Sequence, residues 1–392
     1  MNKLIKFVIS TLSLTMSFTA SASTSNADAE IVKQAVTTMM QQHNIPGVAI
    51  ELYVDGKPET YFFGYANKAK KQLITDKTIF EVGSITKVMT SLLLAQQVDG
   101  AKMQLDDSIT KALPQLPTAF DDISFKNLAT HTSGLPFTAP AFVKNKNQLE
   151  VYFKTWEPTA SADEEWTYSD FGMGMLGDGL AALTHKNFNQ LYRKNILAPL
   201  QMQLIGLTVP ANLMQYYAQG YDKNDLPTKP IQSGLFPAAG GMKMSADDMQ
   251  HFLKAAIGLP GTPDRIFYPM RMTQAAYVKL ADKMQGLGWQ IHSLESEEIA
   301  GLLAEETPTK FGPYSVIKMI EKPKFDGDSL IDKTGTTDGF RTYVAVIPNK
   351  KTGIVVLMNK NIDDNSLVNT AREILFKINK IEPPKAEDNQ KA

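Results

Sequence analysis

The sequence predicts an α+β fold in which one antiparallel sheet, flanked by helices, is built from both ends of the chain around an all-helical inserted domain. Strand-like segments cluster near the two ends, whereas helical periodicity and long loops dominate residues 86–301. The strand pairs at each end need partners, which the other end can supply. We therefore expect a sheet domain over 23–85 and 302–380, with a cleft along its seam with the helical domain.

The first residues predict an export signal. Lys3 and Lys6 precede an apolar run that ends at Phe18 and is too short to span a bilayer. Small residues follow up to Ala22, as they do at a signal-peptidase cleavage site. We expect a signal peptide over 1–22, cleavage after Ala22, and a periplasmic or secreted protein with no stable membrane anchor.

The remaining elements follow from local patterns. Apolar residues at helical spacing predict a helix over 28–42, and Asp55-Gly56 predicts a hairpin turn between β-rich segments at 47–54 and 59–65. Near the other end, strands are expected at 314–320, 329–333, 342–347 and 353–358, followed by an amphipathic helix over 366–378. Residues 381–392 are charged, and we expect a disordered tail there.

Composition limits the classes of function. Hydrophobic residues make up 43% of the 392 residues, which is typical of a globular protein with a large core. Lys plus Arg number 40 against 41 for Asp plus Glu, so no basic excess points to nucleic acid. Cysteine is absent and the five histidines show no metal-ligand spacing, so we expect no metal and no cofactor. A hydrolase of this composition must use Ser, Lys, Tyr or carboxylates, and we expect a monomer acting on a small molecule.

The tetrapeptide S-x-x-K occurs three times, and its surroundings distinguish the copies. The copy at Ser315 lies in a strand-like segment, where Ser315 and Lys318 would point to opposite faces. The copy at Ser108 resembles a capped surface connection, in which the serine has a structural role. Only the copy at Ser84 leads into a long apolar helix.

The Ser84 copy has the features of a nucleophile. Gly83 permits a sharp turn from strand to helix, which places Ser84 at the helix N-terminus and Lys87 one turn later on the same side. The partial positive charge of that terminus favours developing negative charge on the attacked carbonyl oxygen. We expect burial to lower the Lys87 pKa, so that a neutral amine can accept a proton. The alternative is that Ser84 only caps the helix.

Two later motifs favour the catalytic interpretation. Tyr168 and Asp170 are two residues apart, so on an extended loop both can face one cavity. A tyrosine hydroxyl becomes a useful base when ammonium groups lie beside it. In the Lys333-Thr334-Gly335 motif, the lysine can bind a substrate carboxylate, the threonine can donate its hydroxyl, and the glycine lets a ligand approach the strand.

In this order, S-x-x-K, Y-x-(N/D) and K-T-G resemble the signature of penicillin-recognising serine enzymes. The sequence is most similar to class C β-lactamases and their D,D-peptidase and esterase relatives. The resemblance extends over most of the chain and includes the segments 80–84, 131–136, 287–289 and 333–361. It implies a β-lactamase/transpeptidase-like fold, with an α/β domain around an all-helical insertion.

The resemblance also implies roles for individual residues. Ser84 would attack the carbonyl of a β-lactam or an acyl-D-Ala substrate, while Lys87 and Tyr168 move the proton. Water would then hydrolyse the acyl-enzyme with Tyr168 as base. The backbone amides of Ser84 and Thr336 would form the oxyanion hole. The residues that would hold the substrate carboxylate are Lys333, Thr334 and Asn361.

Three positions depart from the class C pattern. Asp170 stands in place of the usual Asn; an ionised carboxylate cannot donate a hydrogen bond, and we expect it to compete for Lys87 and raise its pKa. Thr138 stands where a Gln is often found, and residues 237–241 replace a stretch that usually presents a Tyr. Each change removes a group that would bind the β-lactam side chain, and none removes the acylating residues.

The first hypothesis is therefore a serine β-lactamase. A D,D-peptidase or small-ester hydrolase with the same site, and a penicillin-binding sensor that does not turn over, remain alternatives. No G-x-S-x-G motif is present, which argues against an α/β-hydrolase. A Ser-His-Asp triad would need His131, but a single loop histidine is more often structural, so we expect His131→Ala to keep full activity.

Overall fold

The computed structural model describes residues 18–21, 26–203, 206–232, 234–304 and 311–382. The expected cleavage after Ala22 and the expected tail from 383 onward lie outside the described residues. Within these ranges, no helix combines the length and the apolar character needed to cross a membrane.

The described residues form fifteen strands and eleven helices. The strands are β1 (Phe18–Ser21), β2 (Gly47–Val54), β3 (Lys57–Asn67), β4 (Gln72–Leu73), β5 (Ile79–Glu81), β6 (Glu165–Trp166), β7 (Lys243–Ser245), β8 (Val278–Lys279), β9 (Met284–Gln285), β10 (Gln290–His292), β11 (Tyr314–Ser315), β12 (Lys318–Met319), β13 (Leu330–Thr336), β14 (Arg341–Ile347) and β15 (Thr352–Met358). The helices are α1 (Asn26–His43), α2 (Ile85–Asp99), α3 (Phe125–Thr130), α4 (Lys146–Phe153), α5 (Asp170–Thr184), α6 (Phe188–Tyr192), α7 (Pro237–Gly240), α8 (Ala246–Ile257), α9 (Asp264–Thr273), α10 (Ser296–Leu302) and α11 (Asp364–Asn379).

The main sheet joins the two ends of the chain. Its strand order is β1-β3-β2-β15-β14-β13-β10-β9-β8-β12, with β4 paired to β3 and every neighbouring pair antiparallel. The ends meet where β2 pairs with β15, from Tyr53 opposite Gly353 to Val48 opposite Met358. This sheet confirms the predicted α+β fold.

Alternating side chains of the central strands pack against helices on both faces of the sheet. Ile50 and Leu52 belong to one apolar cluster, which also contains residues of α1 and α11. Ala49 and Tyr53 belong to a second cluster, which contains residues of α2 and α8. Because successive residues of a strand point to opposite faces, the sheet separates two helical layers.

The sheet also takes in residues from the range 86–301, which we expected to be mostly helical. Strands β8, β9 and β10 extend it beyond β13, and helix α8 packs on β2 and β15. These strands are two or three residues long, too short for the alternating pattern that identifies a strand in a sequence.

The prediction of a single strand over 314–320 was wrong. Tyr314–Ser315 pairs with β6, whereas Lys318–Met319 pairs with β8, so the segment passes from one partner to another. The sequence pattern indicates an extended backbone here. It does not indicate that the partner strand changes, because pairing depends on residues far away in the chain.

Glu51 on β2 is a buried carboxyl group that forms no ion pair with any residue in the described ranges. Its Oε2 accepts hydrogen bonds from Thr60 Oγ1 at 2.8 Å and Gln250 Nε2 at 2.9 Å, and the residue is 1% exposed. Burial raises the Glu51 pKa to about 8 even though these two hydrogen bonds lower it. The group is therefore protonated in the folded protein at neutral pH and ionised in the unfolded chain.

We expect Glu51→Gln to stabilise the protein at pH 8 but not at pH 4.5. The folded pKa lies above the unfolded value, so the contribution of Glu51 is fully present below about pH 4.5 and is lost as the pH rises to about 8. Each pH unit in this window costs the wild type about 1.4 kcal/mol of unfolding free energy, which the neutral amide does not lose. Denaturant unfolding of both proteins at the two pH values measures the difference. An equal difference at both values would contradict the prediction.

Candidate active site

Ser84, the predicted nucleophile, lies where strand β5 turns into helix α2. Gly83 has a φ of +49°, and the space that a side chain would fill is occupied by the backbone of Thr336. Ser84 comes directly before α2, yet its side chain makes no capping hydrogen bond. This geometry disfavours the alternative that Ser84 only caps the helix, and it confirms the buried apolar helix predicted after it.

The Lys87 ammonium group is fully buried, with two hydrogen-bond acceptors and one carboxylate beside it. Nζ donates to Ser84 Oγ at 2.9 Å and to Ala239 O at 2.8 Å, and it lies 2.6 Å from Asp170 Oδ1. An ammonium is a donor and a positive charge, so two acceptors and an adjacent carboxylate stabilise the protonated form. Lys87 is therefore a donor toward Ser84 in this structure.

The predicted lowering of the Lys87 pKa was wrong. Burial does lower it, but the negative charges of Asp170 and Tyr168 raise it by more, so the net direction is upward. The expectation that Asp170 raises the Lys87 pKa is confirmed. Burial is the largest single effect, but Asp170 and Tyr168 together outweigh it, because the attraction between opposite charges is strong where water is excluded.

Tyr168 lies between two cations. The centre of its ring is 4.7 Å from Lys87 Nζ and 5.0 Å from Lys333 Nζ. Burial raises the Tyr168 pKa, but Lys333 and Lys87, with a hydrogen bond involving Ser84, outweigh burial and the charge of Asp170, so the pKa falls below its ordinary value. These contacts favour the phenolate, the form that can accept a proton, more than the surroundings of an ordinary tyrosine do.

These side chains meet in one cavity of about 390 Å³, a volume suited to a small-molecule substrate. The lining residues that the sequence predicted are Ser84, Tyr168, Asp170, Lys333, Thr334 and Thr336. Asp170 is the first residue of α5 rather than part of an extended loop, with Ser169 as the helix cap. Both it and Tyr168 nevertheless face the cavity, as expected.

Three predicted binding residues do not line this cavity. Thr138 is exposed on the loop after α3. Asn361 donates from Nδ2 to Thr337 O at 3.2 Å. At Gly335, the space for a side chain is taken by Val82 O and the Thr342 hydroxyl, so close packing within the protein explains the glycine.

An aromatic wall and a polar wall of the cavity were not predicted. Phe137 and Phe311 form the aromatic wall, with ring centres 4.6 Å apart, and both rings lie near Tyr168. The polar wall includes Arg341, whose Nε lies 2.7 Å from Asp364 Oδ1. The sequence offered a signal only for Phe137, an apolar residue directly after the 131–136 motif.

The other two S-x-x-K copies have no catalytic partners. Ser108 caps a 3₁₀ turn by accepting from Thr110 N, as predicted, and Lys111 pairs with Asp107. Ser315 and Lys318 are exposed on two different short strands. Neither copy lies at the cavity that contains Ser84.

The fold and sequence are shared with known proteins. The Beta-lactamase family pattern matches residues 32–376. A β-lactamase from Pseudomonas fluorescens is 31% identical over 348 residues, which cover 88% of this chain and 97% of that protein. A solved β-lactamase/D-alanine carboxypeptidase from Pseudomonas syringae has a TM-score of 0.84 at 31% identity, covering 89% of this chain and 98% of that one. A solved class C β-lactamase has a TM-score of 0.82 at 32% identity, over 92% and 98% of the two chains. Because the family pattern spans most of the chain and these relatives align along nearly their whole length, this protein belongs to the Beta-lactamase family.

Proposed function

We propose that this protein is a serine β-lactamase that opens the β-lactam amide of penicillins or cephalosporins through an acyl-enzyme on Ser84. One observation carries the proposal. The Ser84 hydroxyl accepts a hydrogen bond from Lys87 and interacts with the Tyr168 phenol at the wall of a small-molecule cavity. This is the arrangement of a nucleophile with a base beside it.

The contacts support Tyr168 as the group that transfers the proton. Lys87 already donates to Ser84 and carries a raised pKa, so it cannot take the serine proton. Tyr168 has a lowered pKa and interacts with the same hydroxyl, so its phenolate accepts that proton as Ser84 attacks the carbonyl carbon. The protonated phenol then delivers the proton to the departing β-lactam nitrogen, and Tyr168 activates water for deacylation.

The backbone around Ser84 supports an oxyanion hole. Gly83 packs directly on the backbone of Thr336, which brings strand β13 beside the start of α2. Two backbone amides close to the nucleophile are what stabilisation of a tetrahedral oxyanion requires. Lys333 and Thr334 line the same cavity and are available to a substrate carboxylate.

The walls of the cavity suggest the side chain of the preferred substrate. Phe137 and Phe311 present apolar rings beside Tyr168, while Asp170 cannot donate a hydrogen bond as the usual Asn would. The proposed substrates therefore carry an apolar or aromatic acyl side chain. Such a side chain would bind mainly through contacts with the two rings rather than through hydrogen bonds.

A D,D-peptidase or ester hydrolase would use the same residues. The name of the Pseudomonas syringae relative joins a β-lactamase with a D-alanine carboxypeptidase, which keeps this alternative open. A penicillin-binding sensor would share acylation but not hydrolysis. We also propose export to the periplasm or medium, on the signal-like pattern of residues 1–22, and a monomeric state.

A panel of substrates on the purified protein tests the proposal. We expect steady turnover of a chromogenic cephalosporin, faster than turnover of an aryl ester or release of D-Ala from an acyl-D-Ala-D-Ala peptide. Ester or peptide turnover without cephalosporin turnover would favour the alternative hydrolase. A stable adduct without turnover would favour the sensor.

We expect Asp170→Asn to raise kcat/KM for the cephalosporin by about threefold to tenfold. The amide restores a donor toward the substrate side chain, and one hydrogen bond contributes about 0.5–1.5 kcal/mol. The matched control is Asp178→Asn, on the same helix, where the exposed carboxylate pairs with Lys146 outside the cavity. Unchanged kinetics in Asp170→Asn, or an equal rise in Asp178→Asn, would contradict this account.

A further inference from the structure

His131 contacts the backbone on both sides of Tyr168. Its carbonyl oxygen accepts from Thr167 N at 2.9 Å, and its imidazole Nδ1 accepts from Ser169 N at 3.2 Å. His131 itself ends helix α3 in the left-handed conformation, with a φ of 64°, and is 1% exposed. The residue before Tyr168 and the residue after it are thus both tied to one rigid position.

The imidazole also packs on the phenol itself. The ring centres of His131 and Tyr168 are 4.6 Å apart, and those of His131 and Trp166 are 5.9 Å apart with the two rings nearly perpendicular. The same phenol ring lies about 5 Å from the two cationic groups of Lys87 and Lys333. The imidazole therefore restricts the position of the Tyr168 ring. That position relative to Lys87 and Lys333 determines the Tyr168 pKa.

His131 has the protonation state that this contact requires. Burial, together with the positive charges of Lys87 and Lys333, holds the His131 pKa well below its ordinary value. The ring is therefore neutral, and because Nδ1 accepts from Ser169 N, the proton is on Nε2. A neutral ring that accepts a backbone hydrogen bond is a support rather than the base of a Ser-His-Asp triad.

We propose that His131 is a positioning residue, which fixes Tyr168 between Lys87 and Lys333 through the hydrogen bond from Ser169 N and the contact between the two rings. The inference rests on the proposed function in that Tyr168 is the base. It replaces the expectation from the sequence that His131→Ala keeps full activity. His131 does not touch the reacting atoms; it acts through Tyr168.

Another histidine in the chain offers a matched control. His185 ends helix α5 in the same left-handed conformation, with a φ of 50°, but it is exposed and does not line the cavity. Replacing either histidine by alanine places a residue with a Cβ in a strained backbone region. Only replacement of His131 also removes the acceptor and the ring beside Tyr168.

The first measurement is kinetic. We expect His131→Ala to lower kcat by about 10-fold to 100-fold with KM nearly unchanged, since small misplacements of a catalytic group have effects of this size. His131→Asn should recover part of the loss, because its side-chain oxygen can accept from Ser169 N and asparagine tolerates the left-handed conformation. His185→Ala should match the wild type.

The second measurement does not depend on turnover. The ionisation of Tyr168 is followed by ultraviolet difference titration against Tyr168→Phe. The groups that face the phenol are Lys87, Lys333, Asp170, Ser84 and His131. We expect His131→Ala to raise the Tyr168 pKa, because the ring moves away from the two cations, and to shift the acid side of the kcat profile to higher pH.

The outcomes separate this inference from the proposed function. A Tyr168 pKa that is unchanged in His131→Ala overturns the inference, as does an equal loss of kcat in His185→Ala. Failure of the wild type to hydrolyse any substrate refutes the proposed function, while the titration still decides the role of His131. If His131→Ala does not fold, the titration of His131→Asn decides it: removal of the ring alone should raise the Tyr168 pKa, and no change contradicts the proposal.

Discussion

Ser84→Ala is expected to lower kcat by about 10⁴-fold or more, because it removes the hydroxyl that contacts Lys87 and Tyr168 and that we propose forms the acyl-enzyme. Lys87 is buried beside Asp170 and its pKa is raised by that carboxylate and by Tyr168 despite burial, so its ammonium form does not replace the lost nucleophile. The measurement is steady-state turnover of the chromogenic cephalosporin, with the fold checked by circular dichroism.

The chain contains an internal control for this prediction. Ser108 begins the same four letters, S-I-T-K, but its side chain accepts from Thr110 N and caps a 3₁₀ turn. Ser108→Ala should keep wild-type kcat and lose only about 1 kcal/mol of stability. If Ser84→Ala retained a tenth of the activity, or Ser108→Ala lost it, the assignment of the nucleophile would be wrong.

Tyr168→Phe is expected to lower kcat by about 10²-fold to 10⁴-fold, the usual contribution of a general base. The substitution keeps the ring and its contacts with Lys87 and Lys333 but removes the hydroxyl that interacts with Ser84. In the wild type, activity should rise with pH as the phenol loses its proton, at a pKa below the ordinary tyrosine value. That dependence should disappear in the variant.

The control for Tyr168→Phe is Tyr152→Phe. Tyr152, on helix α4, packs against Phe171 and does not line the cavity. Its variant should keep both kcat and the pH profile of the wild type. A Tyr168→Phe protein with kcat within threefold of the wild type would show that another group accepts the Ser84 proton.

The acylating residues could be predicted from the sequence because their signals are local. Gly83 and the apolar run after Ser84 describe a strand, a turn and a buried helix within about fifteen residues. The later motifs at Tyr168 and Lys333 then supplied the partners in order. The structure places all of these side chains together, as their motifs suggested.

The electrostatic state of the site could not be predicted in the same way. The Lys87 pKa depends on opposing effects, burial on one side and the charges of Asp170 and Tyr168 on the other, and the sequence gives no distances with which to weigh them. The structure supplies the distance to the Asp170 carboxylate, 2.6 Å, and with it the direction of the shift. This is why the base is assigned to Tyr168 and not to Lys87.

The remaining features that the sequence did not predict depend on tertiary contacts. Phe311 reaches the cavity because Tyr168 N donates to Phe311 O at 3.1 Å, a contact between segments far apart in the chain. Strands β8 to β10 are too short to show an alternating hydrophobic pattern. They are recognised as strands only by their pairing with neighbours in the sheet. The role of His131 depends on the same kind of contact, since its partners lie some 35 residues later.

The central claim, a hydrolysed acyl-enzyme on Ser84, is tested most directly by rapid-quench mass spectrometry of the wild type mixed with a penicillin. The account predicts a transient increase equal to the mass of the whole penicillin, because ring opening releases no leaving group. Peptide mapping should place the adduct on Ser84, and the adduct should disappear as product forms. Hydrolysis without any adduct, or an adduct on another residue, would contradict the account.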